Sequence, residues 1–215
     1  MATNAVLDGR SRPSYRGPSP ILIGQVLGAV VAIVGLVVLI GWLLHLAALI
    51  SVVPGWMSMR ASTAVGFLLS GSALLLAANE TASWTKPARL ALGAAVLALG
   101  AAMLAANAFD RTDRHSVVAA LNLTLVGAAL LTLDTGTRWR VRPSESVSLA
   151  MGLLAFVALE GYVFGESSRH HGPAFPTLAP HTALCFFALA VGVFIVRPTA
   201  GLMRTIVADG EREEA

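Results

Sequence analysis

The stretch ILIGQVLGAVVAIVGLVVLIGWLL, from Ile21 to Leu44, runs for twenty-four residues without a charged side chain. About twenty apolar residues in a helix cross the hydrocarbon core of a bilayer, so this stretch predicts a transmembrane helix. The whole chain of 215 residues is 56% hydrophobic and 13% charged, whereas soluble domains carry about 25% charged residues. These figures disfavour a water-soluble globule, and the single cysteine, Cys185, excludes a disulfide scaffold.

Further apolar blocks predict an all-α membrane protein with six transmembrane helices. We place the spans at about 21–45, 61–79, 88–107, 116–133, 146–165 and 180–197. Residues 1–20 would form a cytoplasmic arm, 21–198 the membrane domain, and 199–215 a cytoplasmic surface helix with an acidic tail. Between the first two spans, Ala47–Val53 is expected to lie at the membrane interface. The chain is too short to carry a soluble catalytic domain as well.

The basic residues predict the orientation of these spans. Eleven of the fifteen Lys and Arg residues lie in the N-terminal arm, the even-numbered loops and the C-terminal end, and four lie in the odd-numbered loops. Cytoplasmic loops are enriched in Lys and Arg. Both termini are therefore expected in the cytoplasm, and the odd-numbered loops on the periplasmic or extracellular side. The basic residues need no nucleic acid to explain them.

The chain also repeats a short pattern. Thr-Ala-x-x-Phe occurs from Thr63 to Phe67 and again from Thr182 to Phe186, and a fainter copy begins at Ala119. The separations are 56 and 63 residues. Three tandem helical hairpins, all with the same orientation, would explain this spacing; chance similarity among apolar helices is the alternative.

The motifs that begin and end the chain resemble a membrane-embedded input region of bacterial signalling proteins. They are Gly41-Trp42-Leu43, Val53-Pro54-Gly55, Thr63-Ala64-x-x-Phe67, Gly161-Tyr162, His181-Thr182-Ala183-Leu184-x-Phe186 and Arg197-Pro198-x-x-Gly201-Leu202-Met203. The resemblance covers roughly residues 25–205. In that group the region precedes PAS, histidine-kinase or diguanylate-cyclase modules. Here the middle hairpin lacks the Thr-Ala-x-x-Phe pattern, and the sequence holds no output module.

The resemblance implies a sensory or regulatory membrane protein that signals to a separate membrane or cytoplasmic partner. A non-catalytic accessory subunit of a larger membrane complex is the alternative, and a small transporter is a third. Homo-oligomerisation is compatible with each of them. No HExxH, CxxC or phosphate-binding glycine loop is present, so we expect neither an enzyme nor a defined cofactor.

Polar residues near the external span ends are the candidates for a ligand site. A carboxylate within a span is costly and usually has a partner, which singles out Glu160. We expect Glu160, His181 and Thr182 to line the site, with Tyr162 at its mouth and Thr63 in an equivalent position. Simple solvation at the membrane surface, helix capping by the threonines and snorkelling of Glu160 are the alternatives.

All five histidines fall at the predicted external side. Imidazole is a common ligand of transition metals and also titrates near neutral pH, so a metal site and a pH-sensing site are both open. The candidates are His45, His115, His170, His171 and His181.

Small and polar residues within the spans predict close helix packing. Gly24, Gly28 and Gly35 form a small-residue stripe on the first span. Asn122 and Thr124, in the middle of the fourth span, are expected to make interhelical hydrogen bonds.

The predicted topology can be measured with reporter fusions. Fusions after Trp84 and Trp139 should read cytoplasmic, and fusions after Thr112 and Ser168 should read external, because of the asymmetric distribution of Lys and Arg. An external reading after Trp139 would contradict the six-span topology.

Overall fold

All regular structure in the described part of the chain is helical. The computed structural model describes residues 19–50, 58–79, 82–109, 117–135, 142–164 and 178–197. Its helices are α1 (Pro20–Leu43), α2 (Ala47–Ile50), α3 (Ala61–Ala78), α4 (Thr85–Phe109), α5 (Val117–Leu131), α6 (Pro143–Phe164) and α7 (Pro180–Ile195). The predicted all-α class is confirmed. The N-terminal arm before residue 19 and the helix predicted within 199–215 lie outside the described residues.

The sequence explains where several helices begin. Pro20, Pro143 and Pro180 each occupy the first position of a helix, where a missing N–H costs nothing. The Ser19 hydroxyl accepts a hydrogen bond from the Leu22 N–H at 3.2 Å. Before α6, the Glu145 carboxylate accepts one from the Arg142 N–H at 3.0 Å, as in a capping box.

Four helices, α1, α3, α4 and α6, are long and apolar enough to cross a membrane. Helices α5 and α7 are also apolar but have 15 and 16 residues. Large apolar side chains remain exposed on the outside of the structure, among them Ile33 at 58% and Leu153 at 64%. Extended exposed apolar surfaces mark contacts with lipid or protein rather than with water.

The helices pack as three antiparallel pairs arranged in a ring. The largest contacts join α1 to α3, α4 to α5, and α6 to α7. Smaller contacts join neighbouring pairs, between α3 and α4, α5 and α6, and α7 and α1. Helices α3, α5 and α7 also contact one another inside the ring. We refer to α3, α5 and α7 as the central helices and to α1, α4 and α6 as the outer helices.

Equivalent positions are buried on all three central helices. Every buried residue of α3 has one equivalent 56 residues later, in or directly after α5, and another 119 residues later, in or directly after α7. All of these equivalents are buried as well, so the positions form sets of three. The sets begin with Thr63, Ala119 and Thr182. They include Phe67, Leu123 and Phe186, which are all completely buried. The centre of the bundle is therefore built from one pattern used three times.

The outer helices also share one burial pattern. Each buries a stripe of five residues whose successive members are separated alternately by four and by three positions in the sequence. The stripe begins at Gly24 on α1, Arg89 on α4 and Ser144 on α6. This spacing keeps one narrow face of a helix against its neighbours. The first residue of the stripe is Gly in α1, Arg in α4 and Ser in α6, so the three pairs differ in polarity at a position that is buried in all of them.

Glycine lets the first two pairs approach through their backbones. A Cβ atom at Gly71 would lie 2.5 Å from the Gly28 carbonyl oxygen, and one at Gly127 would lie 2.5 Å from a backbone nitrogen of α4. In the third pair, a Cβ atom at Gly152 would meet only the Ala190 methyl group, at 3.2 Å. The close packing expected from the small residues of the first span is present, and the third pair is built without it.

These distances predict unequal effects of adding one methyl group. Gly71→Ala should lower the free energy of unfolding by about 1–3 kcal/mol, because backbone atoms of α1 have no room to move aside. Gly152→Ala should change it by less than about 0.5 kcal/mol. Unfolding in mixed micelles, followed by circular dichroism, measures both. Equal effects would contradict the packing of α1 against α3.

Candidate functional site

Two polar regions lie at opposite ends of the central helices. We call the end where the central helices begin, near Thr63 and Thr182, the threonine end. The opposite end, where they finish near Asp134, is the aspartate end. The site predicted from the sequence lies at the threonine end.

Thr63 and Thr182 are both buried, in the first turns of α3 and α7. One turn further along, the rings of Phe67 and Phe186 meet edge to face, with centroids 4.7 Å apart and an interplanar angle of 65°. Both rings are completely buried. They form an apolar layer beneath the two threonines.

Tyr162 makes a structural hydrogen bond at the threonine end. Its hydroxyl donates a hydrogen bond to the Leu178 carbonyl, which fixes α6 to the segment that precedes α7. The Trp42 indole makes the corresponding bond in the first pair, donating to the Met59 carbonyl at 3.0 Å. An outer helix is thus tied to the start of its central helix in both pairs.

Glu160 and His181 differ in their surroundings. Glu160 is exposed, on the face of α6 that also exposes Leu153 and Phe156. His181 is partly buried, and its Nε2 atom is enclosed without a hydrogen-bond partner. No hydrogen bond or ion pair joins Glu160 to His181 in the part of the chain that the structure describes. Ligand binding by these two residues stays a prediction.

Asn122 is the most unusual side chain near the threonine end. It is completely buried on α5, and within the described residues neither its amide oxygen nor its amide nitrogen has a hydrogen-bond partner. The expected interhelical hydrogen bonds of Asn122 and Thr124 are therefore wrong. Thr124 instead donates to the Ala120 carbonyl of its own helix at 2.8 Å, a common bond for a threonine within a helix.

In the part of the chain that the structure describes, several other buried polar atoms near this end also have no hydrogen-bond partner. They are Ser62 Oγ, both amide atoms of Asn107, and His181 Nε2. Leaving a buried polar group without a hydrogen bond costs about 1–3 kcal/mol. By contrast, Ser70, Thr85 and Ser148 donate to nearby carbonyls in the rest of the bundle. Among the described residues, the buried polar atoms without hydrogen-bond partners are therefore concentrated at the threonine end.

The histidines give no metal centre within the described residues, where no group of three or more His, Cys, Asp or Glu side chains comes together. His45 is exposed in the turn after α1, with a φ of 56°. His115, His170 and His171 lie outside the described residues. A metal site at those histidines stays a prediction.

The aspartate end is organised around one carboxylate. Asp134 follows α5 and accepts hydrogen bonds from Arg89 on α4 and from Arg197 after α7, the latter at 3.1 Å. Lys86 Nζ lies 3.7 Å from its Oδ2 atom. Partial burial alone would raise the pKa of the Asp134 carboxyl. The surrounding cations, with the hydrogen bond from Arg197, outweigh burial and hold this pKa below its usual value of 3.8.

Arg89 connects this cluster to the core. Its side chain is completely buried and also donates to the Leu130 carbonyl at 2.5 Å. Arg197 donates to the Ala77 carbonyl at 3.0 Å, at the end of α3. The cluster therefore joins α4 to the ends of all three central helices.

Sequence reasoning treated Lys86, Arg89 and Arg197 as topology signals and missed the cluster. The signal that could have revealed the cluster was Asp134, a carboxylate directly after an apolar span. The neighbouring spans begin or end with arginine. Nothing local in the sequence shows that Arg89 is buried.

Asp134→Asn should lower the free energy of unfolding by about 3 kcal/mol, because it leaves the buried Arg89 charge uncompensated. Adding Arg89→Met should recover most of the loss, since it removes that charge. Asp134 has a lower pKa when folded than when unfolded, so its stabilisation is complete above about pH 5 and is lost as the pH falls below about 4. Thermal unfolding at several pH values measures this. If the effects of the two substitutions on the free energy of unfolding were additive, the proposed interaction between Arg89 and Asp134 would be contradicted.

Comparison with known proteins adds no assignment to this geometry. No family model, no curated protein and no solved structure matches the chain. The resemblance to sensory input regions therefore stays a prediction. The chemistry of the threonine end and the aspartate end provides the basis for a functional proposal.

Proposed function

We propose that the chain spans the bacterial inner membrane six times, as three tandem hairpins with both termini in the cytoplasm. The antiparallel pairs α1–α3, α4–α5 and α6–α7 support this arrangement. Charge supports the orientation: Lys86, Arg89, Arg142 and Arg197 lie at the aspartate end, and Arg60 lies at the opposite end. The aspartate end would then be cytoplasmic and the threonine end external.

We also propose that the three hairpins arose from one repeated unit. The shared burial patterns of the central and outer helices support this origin. The hydrogen bonds from Trp42 to Met59 and from Tyr162 to Leu178 provide independent support, because their donors and acceptors occupy equivalent positions in the first and third hairpins. Parallel repeats of this kind keep the same orientation in each unit.

Within this framework we propose a sensory or regulatory function. The observation that carries the proposal is the completely buried Asn122, whose amide has both an acceptor and a donor free of hydrogen bonds. A polar molecule bound at the threonine end would satisfy this amide. The free energy of that interaction is then available to shift the central helices between two arrangements.

The same helices provide a route to the cytoplasmic end. Phe67 and Phe186 couple α3 to α7 below the threonines. Arg197 joins the other ends of these helices, since it bonds both the Ala77 carbonyl and Asp134. A small rotation or translation of α7 at the threonine end would change the geometry of the ion cluster, as in other packed helical switches. The output would be read there by a separate protein partner.

The accessory-subunit alternative has one observation in its favour. The exposed face of α4 consists almost entirely of alanine, at Ala91, Ala94, Ala95, Ala98, Ala101, Ala102, Ala105 and Ala106. The exposed faces of α1 and α6 carry larger side chains such as Ile33 and Phe156. Small residues allow another membrane helix to approach closely, so this alanine face is where a partner helix would pack.

Hydrogen exchange can test the sensory function in purified, full-length protein in lipid nanodiscs. Acetate, glycine, acetamide and Zn²⁺ serve as probes for a site with mixed polar character. At least one probe should slow exchange at residues 117–123 and change it at 131–135. Asn122→Leu should abolish both effects. It should also stabilise the probe-free protein by about 1 kcal/mol or more, because it removes an unsatisfied amide.

Gly152→Ala is a matched control, since it changes α6 without touching either polar end. It should leave the probe response intact. A response that survives Asn122→Leu, or no response to any probe, would overturn the sensory proposal. Co-purification in mild detergent addresses the alternative: loss of a bound membrane protein on Ala98→Leu, without any probe response, would favour an accessory subunit.

A further inference from the structure

Asn122 occupies a face of α5 that points into the centre of the bundle. A Cβ atom at Gly100 of α4 would lie 2.5 Å from the Thr124 backbone nitrogen, so Thr124 marks the side of α5 that meets α4. Residues two positions apart on an α-helix lie about 200° apart around its axis, which turns Asn122 away from α4. Asn122 is also equivalent to Gly66, where a Cβ atom would lie 2.5 Å from the Leu123 side chain of the next central helix. Both relations direct Asn122 toward the other central helices.

The surroundings of Asn122 are apolar and carry no fixed charge. Phe67, Leu123 and Phe186 form the next set along the repeat, and all three are completely buried. The central helices α3, α5 and α7 contain no Asp, Glu, Lys or Arg. The charged residues of α4 and α6 lie at the aspartate end or, for Glu160, on the exposed face of α6. The described helices therefore offer no counter-charge to an ion beside Asn122.

Two further unpartnered atoms lie between Asn122 and the threonine end. Ser62 Oγ and His181 Nε2 are enclosed and make no hydrogen bond within the residues that the structure describes. Ser62 lies four residues before Gly66, and His181 lies four residues before Cys185. Residues four apart share one face of a helix, and Gly66 and Cys185 are the equivalents of Asn122. A polar molecule that enters from the threonine end would thus meet Ser62 and His181 before it meets Asn122.

The unmade hydrogen bonds of Asn122 define the group that complements it. A side-chain amide has an acceptor oxygen and a donor nitrogen, and in the described part of the chain both are without a partner in Asn122. A second amide offers the same two atoms in reverse order, so it can donate to the oxygen and accept from the nitrogen at once. A carboxylate only accepts and an ammonium only donates. Either ion would leave one atom of the Asn122 amide unsatisfied.

We propose that the site at the threonine end takes a small neutral molecule with a primary amide or lactam edge, which pairs with the Asn122 amide through two hydrogen bonds. Complete burial of the neighbouring side chains limits the size of this molecule. Burial of an ion without an opposite charge is strongly unfavourable, which selects a neutral ligand. The rings of Phe67 and Phe186 provide contact for its apolar part. The inference rests on the proposed sensory function, for which it names the class of ligand.

Ligand-observed NMR of the full chain in lipid nanodiscs tests this class with matched probes. Acetamide should bind. Acetate has nearly the same shape but is charged and has no donor, and N,N-dimethylacetamide keeps the carbonyl but has no N–H group. Each should bind at least about tenfold more weakly than acetamide, because one of the two hydrogen bonds cannot form. Asn122→Leu should abolish acetamide binding, whereas Gly152→Ala, the matched control, should retain it. The comparison of probes uses the unaltered protein, so it decides the matter even if Asn122→Leu does not fold.

The outcomes separate this inference from the sensory function. Acetate binding as tight as that of acetamide, equal binding of acetamide and N,N-dimethylacetamide, or acetamide binding that survives Asn122→Leu would overturn the amide class. If acetate or Zn²⁺ nevertheless changes hydrogen exchange at residues 117–123 and 131–135, the sensory function stands without it. Acetamide binding that leaves exchange at 131–135 unchanged would support the amide site and overturn the sensory function.

Discussion

The pairing of buried Arg89 with Asp134 is the constraint around which the structure is arranged. A guanidinium stays charged throughout the accessible pH range, so its burial is tolerated only beside a fixed anion and hydrogen-bond acceptors. Asp134 supplies the anion and Leu130 the acceptor. Because Arg197 bonds the same carboxylate and the end of α3, the requirement of one side chain on α4 fixes the relative positions of four helices.

The three helix pairs use equivalent positions for different chemistry. Where α4 has Arg89, α1 has Gly24 and α6 has Ser144, and all three are buried. Where α5 has Asn122, α3 has Gly66 and α7 has Cys185, again all buried. The polar residues that distinguish the pairs thus concentrate in the middle one. The three pairs share the same pattern of buried positions, but they differ in which of these positions carry polar side chains.

The helices were predictable because apolar blocks long enough for a bilayer are uncommon in other proteins. The start of α4 at Thr85, rather than near 88, was missed because Lys86 and Arg89 look like loop residues. The ion cluster was hidden for a related reason: Arg89 and Asp134 are 45 residues apart, and only the tertiary fold brings them together. For Glu160, the apolar run in the sequence did not show which helix face it occupies, and the structure places it on the exposed face of α6.

The contact of Gly152 with Ala190 has a consequence for biogenesis. The helices of the first two pairs meet through their backbones at glycine, whereas in the third pair a Cβ atom at Gly152 would meet only the Ala190 methyl group. Helices α6 and α7 follow the other described helices in the chain, so the ribosome makes them after α1 to α5. The contacts among α1, α3, α4 and α5 can therefore form before α6 and α7 are available to dock. Of the three pairs, the one made after the others is also the one that the described glycines do not bring into backbone contact.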